Sequence, residues 1–236
     1  MIDLNHRLII SLIAMTRNNK NLNGENRVTK HIVIVGAGGH GRVCADTAEA
    51  AGFTIHGFAD DNHELGEKIN GHQCVANTFE DIKDHCQPGY RMFFVGIGDN
   101  VLRQKIYSMA KELGYDIPSI IHPSATVSRH ATVGLGTIVM TGAVINANAS
   151  VSEGCIVSAN SSIDYDCAIA DCVQISPGVA IAGGVTIGAR SFIGTGASII
   201  PGITIGDDCL VGAGAAVTKD IESGGRVAGV PARPIR

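Results

Sequence analysis

The stretch "NSSIDYDCAIADC", residues 160 to 172, decides the fold because its two isoleucines, Ile163 and Ile169, lie six residues apart. This spacing suits neither a helix nor an ordinary half-buried strand. It continues in both directions, and all 17 positions at this interval from residue 121 to residue 217 are isoleucine or valine. They are Ile121, Val127, Val133, Val139, Ile145, Val151, Val157, Ile163, Ile169, Ile175, Ile181, Ile187, Ile193, Ile199, Ile205, Val211 and Val217.

A hexapeptide repeat of this kind predicts a parallel β-helix, in which three short flat strands make one triangular coil. Each member of the series, called here a ruler residue, should point inward and stack on its equivalent one coil away. The 17 ruler residues predict between five and six coils, and burial at about 1.5–3 kcal/mol gross per side chain outweighs local preferences. Small residues that fit the inside of a corner stand two positions before the next ruler residue: Ala125, Ala131, Thr137, Ala143, Ala149, Cys155, Ser161 and Cys167.

Cysteine usage and net charge argue against several classes of protein. The seven cysteines lack CxxC spacing, which indicates neither a zinc site nor a secreted disulfide framework. Cys155, Cys167 and Cys209 are interpreted as packing residues. A formal net charge of −4 with no polybasic run gives no basic surface for nucleic acid or an anionic membrane. We therefore expect a cytoplasmic protein with no metal, no nucleic-acid partner and no membrane insertion.

The first thirty residues are interpreted as a flexible extension. The stretch "RLIISLIAM", residues 7 to 15, is long enough for the apolar part of a signal peptide. No small-residue cleavage site follows it, and a polar tether comes next, so export is the less favoured interpretation.

A glycine-rich turn opens the next segment. The stretch "HIVIVGAGGHG", residues 31 to 41, predicts a buried strand that runs into a turn with glycines at positions 36, 38, 39 and 41, and a helical pattern follows. Such glycines allow the backbone to approach a phosphate at the N-terminus of a helix. Helix–strand packing alone is the competing explanation for them. His40 lies inside this turn and either contacts phosphate or sugar or is simply solvated.

Two further predicted strands should end at the same crevice, because ligands bind outside the carboxyl ends of parallel strands. "FTIHGFADD" ends in Asp60 and Asp61, which are placed to bind a ribose hydroxyl, and "RMFFVGIGDN" carries Gly98. Only residues 31–118 are available for this domain, about half of a dinucleotide-binding fold. A mononucleotide-sized ligand is therefore favoured over NAD.

The hexapeptide register, the closing "VAGVPARPI" at residues 227 to 235 and the "GAGGHG" turn resemble the NeuD/PglD family of hexapeptide acyltransferases over residues 31–236. The resemblance implies a half-Rossmann-like α/β domain at residues 31–118 and a left-handed parallel β-helix with a C-terminal tail at residues 119–236. It also implies a homotrimer with acetyl-CoA sites between neighbouring β-helices. The acceptor would be a nucleotide-linked sugar, bound partly by the N-terminal domain.

Residues for acetyl-CoA follow from the same resemblance. The backbone amide of Gly183 would polarise the thioester carbonyl, which is an oxyanion-type role. Gly184 beside it supplies turn geometry, while Ala197, Gly214 and Arg233 would line the surface that holds CoA.

The family's catalytic histidine is missing. Its position, downstream of Asn160 and directly before Asp166, is occupied by Tyr165, and no histidine follows His130. A general base is worth about 10²–10⁴ in rate, so a sugar hydroxyl would be a poor acceptor. A sugar amine titrates near 7.7–8, like an α-amino group, and is already partly a free nucleophile at pH 7. This favours N-acetylation, with Tyr165 as a neutral hydrogen-bonding group that positions the amine.

Other interpretations remain open. A phenolate base would require a large shift from a pKa near 10, whereas Asp166 would accept the proton through a water if its pKa were raised. An O-acetyltransferase of the sialic-acid type would recruit Asp166 or His122 as the base. A non-catalytic trimeric protein that binds a sugar nucleotide is the alternative from a different class.

Overall fold

The computed structural model describes residues 30–77, 81–82 and 92–235. Apart from Lys30, the predicted flexible extension lies outside the described residues. An α/β domain is followed by a parallel β-helix, as the sequence predicts. Within the described ranges, no helix is both long and apolar enough to cross a lipid bilayer.

The α/β domain contains a five-stranded sheet with the order β3-β4-β2-β1-β5. Its neighbours pair in parallel, except that β3 runs antiparallel to β4. Helix α1 follows β1, and helix α2 follows β5. The bounds are β1 His31–Val35, α1 Gly39–Ala50, β2 Thr54–Ala59, β3 Lys68–Ile69, β4 His72–Ala76, β5 Met92–Val95 and α2 Asn100–Glu112.

The three predicted strands are present as β2, β1 and β5, with buried aliphatic and aromatic side chains. The β3–β4 hairpin was not predicted because its strands are short and largely polar. Its turn consists of Asn70 and Gly71, with φ values of 48° and 88°. Asn-Gly is the strongest short-range signal for a two-residue hairpin, so the sequence carried the information.

Three parallel sheets form the faces of the β-helix, and each strand pairs with the strand 18 residues away. The first face contains β7 Thr126–Val127, β10 Val144–Ile145, β13 Ser162–Ile163, β16 Ala180–Ile181, β19 Ser198–Ile199 and β22 Ala216–Val217. The second contains β8 Thr132–Val133, β11 Ser150–Val151, β14 Ala168–Ile169, β17 Thr186–Ile187 and β20 Thr204–Ile205. The third contains β6 Ile120–Ile121, β9 Ile138–Val139, β12 Ile156–Val157, β15 Gln174–Ile175, β18 Phe192–Ile193, β21 Leu210–Val211, β23 Arg226–Ala228 and β24 Arg233–Pro234.

The ruler residues fill the interior of the coils. From Val139 to Val217 each is at most 2% exposed. At the first coil the burial is weaker: Val127 and Val133 are half-buried, and Ile121 is 37% exposed. In the part of the chain that the structure describes, no coil lies beneath these three residues, so each lacks a stacking partner from a neighbouring coil on one side.

The corners are built from residues in the left-handed backbone region. Every sixth residue from 136 to 214 has a φ between 55° and 73°. Glycine, asparagine and aspartate adopt this conformation most easily, and they occupy all but two of these positions, Cys172 and Arg190. The ruler residues alone do not predict this second six-residue series, which lies three positions after them.

The two domains pack together through apolar side chains. On the third face, Ile120, Ile138 and Ile156 point out of the β-helix and form one buried cluster with Cys44 and Ala45 of α1. Further along that face the equivalent outward residue is Gln174. The outward isoleucines therefore mark the coils on which the α/β domain docks.

The C-terminal segment passes over the last coil and occupies the ends of all three sheets. Ile221 bridges to Ile205 on the second face. On the first face, Ala216 donates its N–H to Gly229 and accepts a hydrogen bond from Ala232. On the third face, β24 pairs antiparallel with β23.

Candidate active site at a crevice and a β-helix corner

The glycines of the crevice divide into two groups. Three of them are needed for packing: a Cβ at Gly41 would overlap the carbonyl oxygen of Gly36, one at Gly96 would lie 2.8 Å from the Cα of Gly41, and one at Gly36 would lie 3.0 Å from the Gly96 oxygen. Gly38, Gly39 and Gly98 instead have open space where a Cβ would be, and they are exposed. The turn therefore combines close backbone packing with a glycine surface that a ligand can approach.

Asp60 connects the end of β2 to the glycine turn. Its Oδ2 accepts a hydrogen bond from the Ala37 N–H at 2.6 Å, and its Oδ1 lies 2.9 Å from both the Asn62 N and His63 Nδ1. Partial burial alone would raise the pKa of Asp60, but these hydrogen bonds outweigh it and hold the pKa below its usual value. Asp60 thus stabilises the crevice, whereas Asp61 is exposed and its Oδ1 accepts a hydrogen bond from Asn62 Nδ2 at 2.7 Å.

We expect Asp60→Asn to destabilise the chain at neutral pH by about 1–3 kcal/mol, because an amide cannot accept from all three donors. A lowered folded-state pKa gives stability that is present above the unfolded pKa and is lost as pH falls through the folded one. The difference in stability between the parent and Asp60→Asn should therefore shrink below about pH 4. Thermal melts at pH 7 and pH 3.5 test this, with Asp61→Asn as the control; equal melting temperatures for Asp60→Asn and the parent at pH 7 would contradict it.

His40 points back into the domain. Its Nε2 lies 3.4 Å from Cys44 Sγ. Burial, with a smaller contribution from the positive charge of Arg103, lowers the pKa of His40 to about 4. Its imidazole is therefore neutral at pH 7 and cannot attract a phosphate through its own charge. Its contact with phosphate or sugar stays a prediction.

Tyr165 and the two aspartates occupy one corner of the β-helix. Tyr165 is 53% exposed. Asp164 Oδ1 accepts hydrogen bonds from the Tyr165 N–H at 2.8 Å and from Asn146 Nδ2 at 2.9 Å. Asp166 Oδ1 accepts from Asn148 Nδ2 at 3.1 Å. Each carboxylate is thus held by an asparagine one coil below. Comparing residues 18 positions apart in the sequence would have revealed both Asn–Asp pairs.

The aromatic ring of Tyr165 lies against Gly183, one coil above. A Cβ at Gly183 would lie 2.6 Å and 2.8 Å from the two Cε atoms of the ring and would overlap Cζ. The Gly183 N–H donates no hydrogen bond within the described part of the chain, while the Gly184 N–H donates to the Tyr165 carbonyl at 2.9 Å. The corner therefore brings together a phenol, two carboxylates and an unused backbone amide.

The structure does not bring Asn160 to this corner. Asn160 and Asp166 are both left-handed corner residues, with φ values of 56° and 55°, and strand β13 runs between them. Adjacent corners are about 15–20 Å apart at the rise of a strand. Within one chain, Asn160 packs over Gly142 and cannot act on a group bound at Tyr165.

The histidines of the β-helix also lie away from Tyr165. His122 Nδ1 accepts from the Ser124 N–H at 3.1 Å at another corner. His130 lies in the same corner series as Asp166 but two coils below, about 10 Å along the axis. Its Nε2 accepts from Arg129 Nε at 3.1 Å. Neither histidine replaces the missing base within one chain.

The residues predicted to line CoA are placed differently from one another. Ala197 is 0% exposed in the core of the coils, so only its backbone could contact a cofactor bound outside; its place on the CoA surface stays a prediction. Gly214 and Gly184 are left-handed corner residues with open space beside them. Arg233 is exposed and borders a cavity of about 500 Å³ at the C-terminal end of the β-helix, which does not include Tyr165.

The cysteines behave as packing residues. Burial raises the pKa of Cys155 to about 12 and also raises the pKa of Cys167. Cys209 is 2% exposed. Among the described residues, no group of three or more histidine, cysteine or acidic side chains is arranged to hold a metal ion.

Comparisons with known proteins match both domains. Residues 31–110 match the PglD N-terminal domain family, and residues 184–219 match a hexapeptide repeat of succinyl-transferases. The acetyltransferase domain of PglB from Neisseria gonorrhoeae is 37% identical, with a TM-score of 0.83, over 88% of this chain and 100% of that one. The chain belongs to the PglD family of hexapeptide-repeat sugar acetyltransferases.

Two further relatives in the PglD family are similar over different extents. Perosamine N-acetyltransferase from Caulobacter crescentus, solved with CoA and GDP-perosamine, is 36% identical over 87% of this chain and 97% of that one, with a TM-score of 0.82. The UDP-N-acetylbacillosamine N-acetyltransferase of Bacillus subtilis is 35% identical over 117 residues. That match spans 47% of this chain and about half, 51%, of the curated relative. The PglB domain has also been solved with acetyl coenzyme A.

Proposed function

We propose that the chain is an acetyl-CoA-dependent N-acetyltransferase that acts on the amino group of a nucleotide-linked amino-deoxy sugar, a precursor of surface glycan or polysaccharide. The observation that carries this proposal is the corner at Tyr165, which offers hydrogen-bonding groups and no imidazole. An amine that is partly unprotonated at neutral pH needs orientation more than it needs a base. The perosamine and bacillosamine relatives, both N-acetyltransferases by name, support the same acceptor class.

In the proposed reaction the acceptor amine attacks the thioester carbonyl directly in a ternary complex. The C–N bond forms first and moves the carbonyl π electrons onto the oxygen; when this oxyanion collapses the C–S bond breaks, and CoA leaves as the thiol after taking up the proton released by the amine. In this proposal the Gly183 N–H stabilises the oxyanion. Tyr165 orients the amine, and a water held by Asp166 relays the proton.

Acetyl-CoA is proposed to bind between neighbouring copies of a homotrimer. Tyr165 and Gly183 lie on an open corner, and the cavity at the C-terminal end of the β-helix does not include Tyr165. A second copy packed beside this corner would enclose the thioester and exclude water from it. The glycine surface at residues 38–39 and 98 is proposed to bind the nucleotide.

The test is a thiol-release assay with acetyl-CoA and UDP-, GDP- and dTDP-linked amino sugars between pH 6 and 9.5. For one acceptor, we expect a rate that rises with pH toward the pKa of the amine. Tyr165→Phe should lower kcat/KM up to about tenfold, as expected for one lost hydrogen bond, while Tyr165→His should change the rate little at pH 8.

Two results would contradict this proposal. If activity appears only in Tyr165→His, the parent chain lacks a general base that contributes about 10²–10⁴ in rate. The parent chain would then bind ligands without transferring acetyl groups. Transfer to a free-sugar hydroxyl, with no need for a nucleotide, would favour O-acetylation and leave the glycine surface without a phosphate to bind. Lys111→Met, which removes an exposed ion pair with Glu153, serves as the control for non-specific effects of substitution.

A further inference from the structure

Arg103 is an almost fully buried arginine at the junction of the two domains. It lies in the first turn of α2, and its side chain is 1% exposed. Its three side-chain nitrogens donate five hydrogen bonds: two to the loop that leads from β5 into α2, one to Asn100 at the start of α2, and two to the β-helix. The acceptors are Gly154 O at 2.8 Å, Cys172 O at 2.8 Å, Ile97 O at 3.0 Å, Gly98 O at 3.1 Å and Asn100 Oδ1 at 2.6 Å.

Arg103 and Asn100 together hold three successive coils. The carbonyls of Gly154 and Cys172 accept from Arg103, and the carbonyl of Arg190, one coil further on, accepts from Asn100 Nδ2 at 2.8 Å. These three residues are equivalent corner positions 18 residues apart. The loop that contains Gly98 is thereby fixed relative to the β-helix by a rigid, planar guanidinium.

The charge of Arg103 is not neutralised inside the protein. All five of its acceptors are uncharged, and no ion pair found among the described residues includes it. Asp99 lies nearby, but this residue is exposed and its Oδ1 caps α2 by accepting from the Leu102 N–H at 2.7 Å. A buried cation without a carboxylate partner is costly, and here uncharged carbonyl and amide oxygens alone accept from the guanidinium of Arg103.

This charge lies directly beneath the glycine surface. Gly98 is exposed, and its carbonyl oxygen is 3.1 Å from Arg103 Nη1. The charge also reaches the other side of the crevice, because it contributes to the low pKa of His40 in the glycine turn. An anion bound at this surface would be stabilised by a cation that is shielded from solvent.

We propose that Arg103 is a positioning residue for an anionic acceptor: its buried charge attracts the phosphates of a nucleotide diphosphate to the glycine surface, and its hydrogen bonds fix that surface relative to the β-helix. This inference rests on the proposed function, since it assigns the nucleotide-linked acceptor to this crevice.

The decisive experiment compares nucleotide diphosphates with their nucleosides. Affinities of UDP, GDP and dTDP, and of uridine, guanosine and thymidine, are measured by titration calorimetry at low salt for the parent chain and two variants. Arg103→Met should weaken binding of the preferred diphosphate at least tenfold and that of its nucleoside less than twofold, while Arg103→Lys should stay within about threefold for both. If Arg103 had a purely structural role, Arg103→Met would weaken binding of the diphosphate and of the nucleoside equally, and that result would overturn the inference.

Asn100 supplies a test that does not remove the buried arginine. Asn100→Asp and Asn100→Ala both lose the bond to the Arg190 carbonyl, but only the aspartate places a negative charge beside Arg103. We expect Asn100→Asp to weaken diphosphate binding at least fivefold more than Asn100→Ala, and this difference should vanish in an Arg103→Met background. A difference that persists there would mean that the aspartate acts on the ligand directly, and the inference would fail.

The outcomes separate this inference from the proposed function. If the parent chain binds none of the three diphosphates, the proposed acceptor class is wrong. If it binds one of them and Arg103→Met binds it equally well, only the role of Arg103 is wrong. Lys111→Met is the matched control, because Lys111 makes an exposed ion pair with Glu153 across the same junction, at 2.9 Å, and its loss should change neither affinity.

Discussion

Gly183→Ala should lower kcat/KM for acetyl transfer by about 10²-fold, the cost of displacing a positioned group by about 1 Å. A Cβ at position 183 would overlap Cζ of Tyr165 and lie 2.6 Å from Cε2, so the phenol ring must move. The backbone itself accepts a side chain at this corner position. The equivalent residues one coil below Tyr165 and one coil above Gly183 are Ala147 and Pro201.

Stability and activity should therefore separate in Gly183→Ala. The melting temperature should stay close to that of the parent, because Tyr165 is half-exposed and leaves no cavity when it moves. A double-mutant cycle identifies the cause: in a Tyr165→Ala background, Gly183→Ala should have little further effect on kcat/KM. If Gly183→Ala lowers kcat/KM as much in the Tyr165→Ala background as in the parent, the methyl group interferes with the thioester and not with Tyr165.

Gly41→Ala should have the largest effect on stability. The added Cβ would overlap the Gly36 carbonyl oxygen, lie 2.7 Å from its carbonyl carbon and lie 3.4 Å from the Gly96 oxygen. Backbone atoms on both sides cannot yield as a flexible side chain would. We expect destabilisation of about 3 kcal/mol, the upper end for overpacking, with loss of the thermal shift that a bound nucleotide diphosphate produces in the parent.

Gly38→Ala is the matched control for Gly41→Ala. Gly38 has a φ of −65°, which any residue adopts, and its Cβ would enter open space. The free energy of unfolding of Gly38→Ala should stay within about 0.5 kcal/mol of the parent value, as for most surface substitutions. Calorimetric melts with and without the diphosphate distinguish the two glycines. Equal stability of Gly41→Ala and Gly38→Ala would contradict the packing role assigned to Gly41.

The β-helix could be predicted from the sequence because one residue in six must satisfy the same steric requirement in every coil. Isoleucine or valine at each ruler position leaves no other fold that buries all of them. The exposure of Ile121, 37%, has the same origin. Ruler residues are buried by stacking between coils, and in the described part of the chain no coil lies below the first one. The β3–β4 hairpin was missed because its signal is a single Asn-Gly pair, which has no periodicity.

The candidate site was only partly predictable. Tyr165, Asp166, Gly183 and Asn160 were assigned through the resemblance to the family. The register places Gly183 one coil, 18 residues, after Tyr165, but a strand carries Asn160 to a different corner. Arg103 could not be found because nothing in a helical pattern marks an arginine as buried. Its burial depends on carbonyls of Gly154 and Cys172, which are 51 and 69 residues away.

The arrangement of the C-terminal segment affects how the molecule behaves in a crowded solution. A stack of identical parallel coils is a template, and an exposed last coil would invite the first coil of another molecule to continue the stack into a filament. Here Ile221 and the residues from 229 to 235 already occupy the ends of all three sheets. β24 runs in the opposite direction and contains a proline, Pro234, which has no N–H to offer. End-to-end polymerisation is therefore blocked at this end by strand direction and by missing donors.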